Sequence, residues 1–233
     1  LKAERRNEPA CAFTAGSGVG HAIFRNAKRR ADPAAPVRIG IVGLGAGMVA
    51  AHGRAGDLIR YYELNPAVSA LVERHFSFVR DTPAKTEIAL GDGRLVLERE
   101  ALGGRSQRYD VIVMNAFRGA SPPMHLMTKE AFDVYLSHLE PNGILAINFE
   151  LDTFEIAPLH RGLAAASGID VKWVETTSEE GCEDPISWAL YTRDKAFWDV
   201  PEVKASLSPW RDGSESRLLW TDRNSNLMSI IPW

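Results

Sequence analysis

Cysteine is scarce in this chain. Its 233 residues hold two, Cys11 and Cys182, far apart and without metal-ligand spacing. That argues against a disulfide scaffold and fits a reducing compartment; no metal is expected. Long apolar runs are also missing. No stretch reaches the roughly 18 apolar residues of a membrane helix, and no signal peptide is visible, so the expected location is cytoplasmic, without membrane insertion. Charge of one sign is not in excess: the net value is −3, and nothing global calls for nucleic acid. The basic residues Lys2, Arg5, Arg6, Arg25, Lys28, Arg29 and Arg30 lack an interleaved aromatic platform and read as a solvated arm. Internal repeats and low-complexity segments are absent. The chain starts at Leu1 rather than Met, as an excised portion of a longer protein would.

What is present is ordinary globular composition, 45% apolar and 24% charged, enough for a sizeable core. Residues 1–35 read as an arm, with Gly16-Ser-Gly-Val-Gly20 as a turn and Ala31-Asp-Pro-Ala-Ala-Pro36 as a breaker. Strands are expected at 37–43, 58–63, 86–91, 109–114, 143–149, 169–175 and 187–193, with helices between them. Asn65 and Pro66 open one helix, whose apolar positions are Val68, Leu71, Val72, Phe76 and Val79. Thr128 opens another, with Ala131, Phe132, Tyr135, Leu136 and Leu139 inside, ending at a turn over Pro141-Asn142-Gly143. This alternation predicts an α/β fold with a mostly parallel seven-stranded sheet and helices on both faces. Residues 36–200 form that domain, and 201–233 read as a tail packed on it.

The glycine-rich stretch Gly43-Leu-Gly-Ala-Gly47 follows the first strand, and Glu63 ends the second. Glycines let a backbone approach a ligand closely, and an acid at the end of the next strand accepts from ribose hydroxyls. A Rossmann-like nucleoside site is expected. Gly43, Gly45 and Gly47 match the spacing for S-adenosylmethionine-type ligands. Gly45, Gly47 and Ala50 match a nicotinamide or flavin register, which keeps an NAD-dependent oxidoreductase as an alternative. The third strand ends in Gly91-Asp-Gly-Arg94. Asp92, next to Gly93, is placed to accept from an adenine amino group, or simply to cap the following helix. Two acids on successive strand ends suit a ligand without phosphates, because a pyrophosphate would be repelled.

With these residues placed, the chain resembles the spermidine synthase (polyamine aminopropyltransferase) family, and most closely its variants fused to membrane transporter-like segments. The matching pieces are Gly18-Val-Gly20, Gly43-Leu-Gly-Ala-Gly47, Tyr62-Glu-Leu-Asn-Pro66, Gly91-Asp-Gly-Arg94 and Tyr109-Asp-Val-Ile-Val113. Further on come Pro123-Met-His-Leu-Met-Thr128 and Trp220-Thr-Asp222. The resemblance implies a class I methyltransferase fold of the spermidine synthase type, with an N-terminal hairpin region of which residues 1–35 would be a remnant. It also implies aminopropyl transfer from decarboxylated S-adenosylmethionine to a small-molecule amine, and leaves a homodimer open. Glu63 would hold ribose and Asp92 adenine.

The family's aspartate after the fourth strand reads Asn115 here, and a second acidic position reads Arg118. An alkylamine with a pKa of about 10.4 is protonated at neutral pH. Asn can orient such a substrate but not deprotonate it, at a typical cost of about 10²–10⁴ in rate. His125 is one candidate replacement base; it also reads as a residue that bonds locally to hold its loop. Glu150, with Asp152 and Glu155, is another candidate, although Glu155 also suits a helix N-terminus. The acidic stretch Glu175, Glu179, Glu180, Glu183 and Asp184 reads as a solvated loop or as a lid for a cation. Trp220 and Asp222 are further residues able to approach the site from the tail. Methyl transfer tolerates Asn115, since positioning alone can suffice. A non-catalytic nucleoside sensor or interaction module is the remaining alternative.

Overall fold

The computed structural model describes residues 7–116, 123–149, 154–176, 186–210 and 215–231. In chain order the elements are α1 (Gly18–Arg25), α2 (Ala27–Ala31), β1 (Arg38–Val42), β2 (Leu58–Glu63), α3 (Pro66–His75) and α4 (Phe78–Asp81). Then follow β3 (Lys85–Leu90), α5 (Gly93–Leu102), β4 (Tyr109–Met114), α6 (Lys129–Ser137) and β5 (Leu139–Phe149). The last are α7 (Ala157–Ser167), β6 (Asp170–Thr176), β7 (Ile186–Thr192), α8 (Pro201–Ser206) and β8 (Leu207–Ser208).

The strands form one sheet in the order β3-β2-β1-β4-β5-β7-β6-β8. The first five positions pair in parallel, while β7 runs antiparallel to both β5 and β6. Seven strands match the expected positions. The eighth, β8, is a two-residue edge piece that sets Leu207 and Ser208 against Val174 and Trp173.

Successive strand side chains point to opposite faces, so the sheet divides the core in two. Ile39, Ile41, Val111, Val113, Ile144 and Ala146 face one layer, with α1 and the Met48–His52 turn. Tyr109, Ile112, Met114, Leu145 and Ile147 face the other, with Leu97 of α5, Phe132 and Tyr135 of α6, and Leu159 and Leu163 of α7. The central strands are buried on both sides, which is why they read as continuous apolar runs.

Four local expectations differ from the structure. Gly16–Gly20 is not a simple turn. Ser17 accepts from the Gly20 N–H and starts α1, whose Val19, Ala22 and Ile23 are fully buried. Gly18 is needed for close packing, since a Cβ there would lie 2.4 Å from Trp188 Cβ. Of the basic residues expected to be solvated, Arg29 is buried against Asp57 and Arg30 is largely covered against Asp194, while Arg25 and Lys28 stay exposed in surface pairs with Glu202 and Asp110; Lys2, Arg5 and Arg6 lie outside the described residues. The helix after Glu63 breaks at Phe76 into α3 and α4, leaving Leu71 and Phe76 exposed. Finally, β5 starts at Leu139, and Pro141–Gly143 sits inside a register shift against β4 rather than before the strand.

Burial sets the acid limit of this fold. Desolvation, helped by the charge of Arg161, pushes the His160 ring down to about 3. Burial likewise lowers His21, His52 and His138. Folding thus makes these rings harder to protonate than in the unfolded chain, where they gain a proton near pH ~6.5. Their stability contribution is therefore complete above that value and is lost as pH falls toward the folded values. Urea midpoints are expected to drop between about pH 7.5 and about pH 5, with a shallower slope in His160→Phe. A midpoint constant across that range contradicts the assignment.

Candidate functional site

The chain leaves β1 toward β2 on one side and β4 toward β5 on the other. Such a reversal opens a crevice beyond the carboxyl ends of the strands, where open α/β sheets take their ligands. A cleft of about 420 Å³ lies here, lined by Gly43, Gly45, Glu63, Asp92, Gly93, Asn115 and His125. Sequence positions spread over more than eighty residues thus meet at one place.

The glycine loop needs its glycines for two reasons. Gly43 and Gly45 have φ of 94° and 53°, values that L side chains rarely adopt. A Cβ on Gly43 would also lie 2.4 Å from the Asn115 carbonyl oxygen. Gly47 has a different part. It precedes the 3₁₀ turn Met48–His52, which stands where a longer helix was expected, and it packs against Val79 instead of lining the cleft.

Glu63 is the fixed point of the site and is only 7% exposed. Its Oε2 accepts from the Leu44 N–H at 2.9 Å and its Oε1 from the Asn65 N–H at 2.8 Å. One carboxylate therefore ties the glycine loop after β1 to the turn after β2. Each oxygen keeps a further lone pair for a ligand hydroxyl.

Asp92 caps the following helix and also faces the cleft. Its Oδ1 accepts from the Leu95 N–H and caps α5, while its Oδ2 lies 3.0 Å from His125 Nε2. Gly93 starts α5 where a side chain would strike Val42 and Tyr62. Asn115 follows β4, its amide close to Gly45, on the cleft wall. His125 lies on the 3₁₀ turn Met124–Leu126 with a half-exposed ring. With Nε2 engaged by Asp92, only Nδ1 is left for proton transfer. Glu150, Asp152, Arg118 and the acidic positions 179–184 lie outside the described residues. Glu155 is exposed, and its N–H donates to the Ile230 carbonyl at 2.7 Å.

The tail meets the edge of this site. Trp220 is buried, with its indole N–H on Ser229 Oγ, and acts in packing. Asp222 takes a forked ion pair from Arg94 and a hydrogen bond from Thr128 Oγ1. Arg94 also donates to the His125 carbonyl at 2.7 Å. The Asp222 carboxyl is held below its ordinary range, chiefly by the Arg94 hydrogen bond. In the sequence Arg94 stands out only as part of the Gly91-Asp-Gly-Arg94 motif. The available signal was its charge: a cation in the first turn of a helix opposes the helix dipole and calls for a partner. Among the described residues no cluster of His, Cys, Asp or Glu can hold a metal, and no helix is long and apolar enough to cross a membrane.

No family model matches the chain. A polyamine aminopropyltransferase of Vibrio vulnificus is 35% identical over 128 residues, which cover 54% of this chain and 40% of that protein. The match thus spans less than half of the relative's length. Human methyltransferase-like protein 13 in complex with SAH superimposes with a TM-score of 0.59 at 20% identity, covering 84% of this chain and 86% of that one. A spermidine synthase in complex with the transition-state analogue AdoDATO gives 0.58 at 14% identity, covering 87% and 67%. The chain therefore has the Rossmann-like fold shared by methyltransferases and spermidine synthases. It also has modest sequence similarity to polyamine aminopropyltransferases over about half its length.

The bridging role of Glu63 gives a prediction that needs no ligand. Glu63→Gln turns one acceptor oxygen into a donor facing a backbone N–H. The expected cost is about 1–3 kcal/mol, the penalty for an unsatisfied buried donor, read from urea unfolding of the free protein. Unchanged stability would mean that Glu63 does not hold the loop.

Proposed function

We propose that this chain is a transferase domain that binds S-adenosylmethionine or its decarboxylated form and passes a methyl or aminopropyl group to an acceptor. The observation that carries this reading is the convergence of Glu63 and Asp92 on one cleft beside Gly43 and Gly45. Glu63 retains lone pairs for the two ribose hydroxyls, and Asp92 retains one for the adenine amino group. The two acids disfavour a pyrophosphate, and with it an NAD-dependent reaction. The ligands named for the two structural neighbours, SAH and AdoDATO, belong to the same chemical class.

In the reaction the acceptor's lone pair attacks the carbon next to the sulfonium. The carbon–sulfur bond breaks with its electrons going to sulfur, which leaves a neutral thioether. The chain's part is to hold donor and acceptor in line. Asn115 stands on the cleft wall where the resemblance puts an aspartate. Its amide orients an acceptor through one acceptor oxygen and two donor hydrogens but takes no proton. An acceptor that is already nucleophilic near neutral pH fits this wall better than a protonated diamine. The same residue supports the second reading, a nucleoside-binding module without turnover.

The test is product mass with an isotope-labelled donor, offered in both forms against a panel of amine and non-amine acceptors. A labelled methyl or aminopropyl product is expected, and absence of both across the panel overturns the catalytic reading. Asn115→Asp is expected to raise turnover of amine acceptors about 10²-fold or more where a base is limiting; an unchanged rate would remove Asn115 from the acceptor side.

A further inference from the structure

Four side chains connect the C-terminal segment to the floor of the cleft. Asp222 lies far in sequence from Arg94 and Thr128, yet it accepts from both. A small turn holds it: Thr221 and Asn224 bridge to each other, and the Asp222 N–H donates to Glu130 at 3.0 Å. Arg94, 7% exposed, is the pivot. One terminal nitrogen, Nη1, donates to the His125 carbonyl at 2.7 Å, to Thr128 Oγ1 at 3.2 Å and to Asp222 at 2.7 Å. His125 in turn sets its ring nitrogen 3.0 Å from Asp92.

We propose that Asp222 and Arg94 are positioning residues for nucleoside recognition: they clamp the 123–128 loop so that His125 fixes the Asp92 carboxylate toward the purine amino group. This rests on the S-adenosyl reading of the cleft. Asp92 has two oxygens with different duties. Oδ1 is committed to the α5 cap. One backbone N–H on Oδ1 leaves the planar carboxylate able to rock about its Cβ–Cγ bond, and a second donor from His125 on Oδ2 fixes that rotation. His125 cannot do this alone, because it sits on a three-residue 3₁₀ turn. Its backbone is set by the Arg94 bond, and Arg94 is set by Asp222. A second cavity of about 400 Å³, lined by Arg94, Met124, His125, Thr128, Asp222 and Ser225, lies on the outer side of the same loop. His125 is common to both cavities. Leu126 and Met127 anchor the loop in the core, while His125 stands between the two cavities, where the Arg94 bond fixes its backbone.

The experiment compares binding of 5′-methylthioadenosine with that of its 6-deamino analogue, which carries hydrogen in place of the amino group. The protein is the whole chain, as wild type and as Asp222→Asn, with calorimetry as the readout. Wild type is expected to prefer the amino ligand by about three- to tenfold, the size of one net hydrogen bond. In Asp222→Asn that preference falls toward one, while the 6-deamino ligand binds as before. General loosening of the fold would weaken both ligands equally and keep their ratio, so a preserved preference overturns the proposal. Arg94→Lys keeps the charge but loses the planar fork, and it carries the same test where Asp222→Asn does not fold. His125→Ala is expected to erase the same preference, and the His125→Ala/Asp222→Asn double variant to add nothing further. Additive losses would mean that the latch does not act through His125. If wild type binds neither ligand, the nucleoside reading falls and the latch with it; if wild type discriminates and the variants still do, the latch alone falls.

Discussion

The Glu63 carboxylate joins two strand ends that the sheet alone would leave as separate loops. By taking one backbone N–H from Leu44 and one from Asn65, it sets how far the glycine loop stands from the turn before α3. The shape of the cleft depends on that distance. Parallel pairing of β1 with β2 places Val42 beside Tyr62, so Glu63 emerges next to Gly43. The positive φ at Gly43 and Gly45 then follows from geometry rather than from ligand contact. The loop must turn sharply enough for Leu44 to present its N–H to a carboxylate on the neighbouring strand. The same acid that holds the loop also lines the cleft, so in the proposed function organisation and recognition fall to one residue.

The other half of the site is built on α5. Asp92 caps that helix, Arg94 occupies its first turn, and Gly93 brings it against β1 and β2. A cap residue has a fixed backbone and one committed oxygen, which makes it a good base for a directed hydrogen bond. Arg94 is an unfavourable charge at that end of a helix. The pairing with Asp222 offsets it and brings the C-terminal segment to the site. The tail further up the chain is held by packing: Leu218 donates to the Pro158 carbonyl, Gly162 leaves room for the Leu218 backbone, and Trp210 stacks on His160. The segment after α8 is thereby fastened at several points before it reaches Asp222.

Most of the sheet was legible because its signals are local. Buried parallel strands read as apolar runs, and Asn65–Pro66 and Thr128 mark helix starts by their capping chemistry. The cleft was legible because Gly43, Gly45, Glu63 and Asp92 all stand at strand ends, where position in sequence translates directly into position in space. The N-terminal segment was not. Glycine spacing around Ser17 suggests a turn; Gly20 clears the Thr14 and Ala15 carbonyls close by, but only the bulk of Trp188, about 170 positions later, explains Gly18 at the start of α1. Arg29 and Arg30 looked solvated because their partners Asp57 and Asp194 are remote. The break at Phe76 was hidden as well, since a periodic pattern continues through it while tertiary packing does not. Arg94 with Asp222 belongs to the same class of long-range pair: the charge of Arg94 in a first helical turn calls for a partner, but no local signal says that the partner is Asp222.

In the proposed function the cleft suits a nucleoside without a pyrophosphate, because two acids, Glu63 and Asp92, line it. The most direct measurement is calorimetric titration of the chain with SAH, 5′-methylthioadenosine and NAD under one buffer. Saturable one-to-one binding of SAH or methylthioadenosine is expected, with much weaker binding of NAD. Tighter binding of NAD, or no binding of any of the three, would contradict that reading.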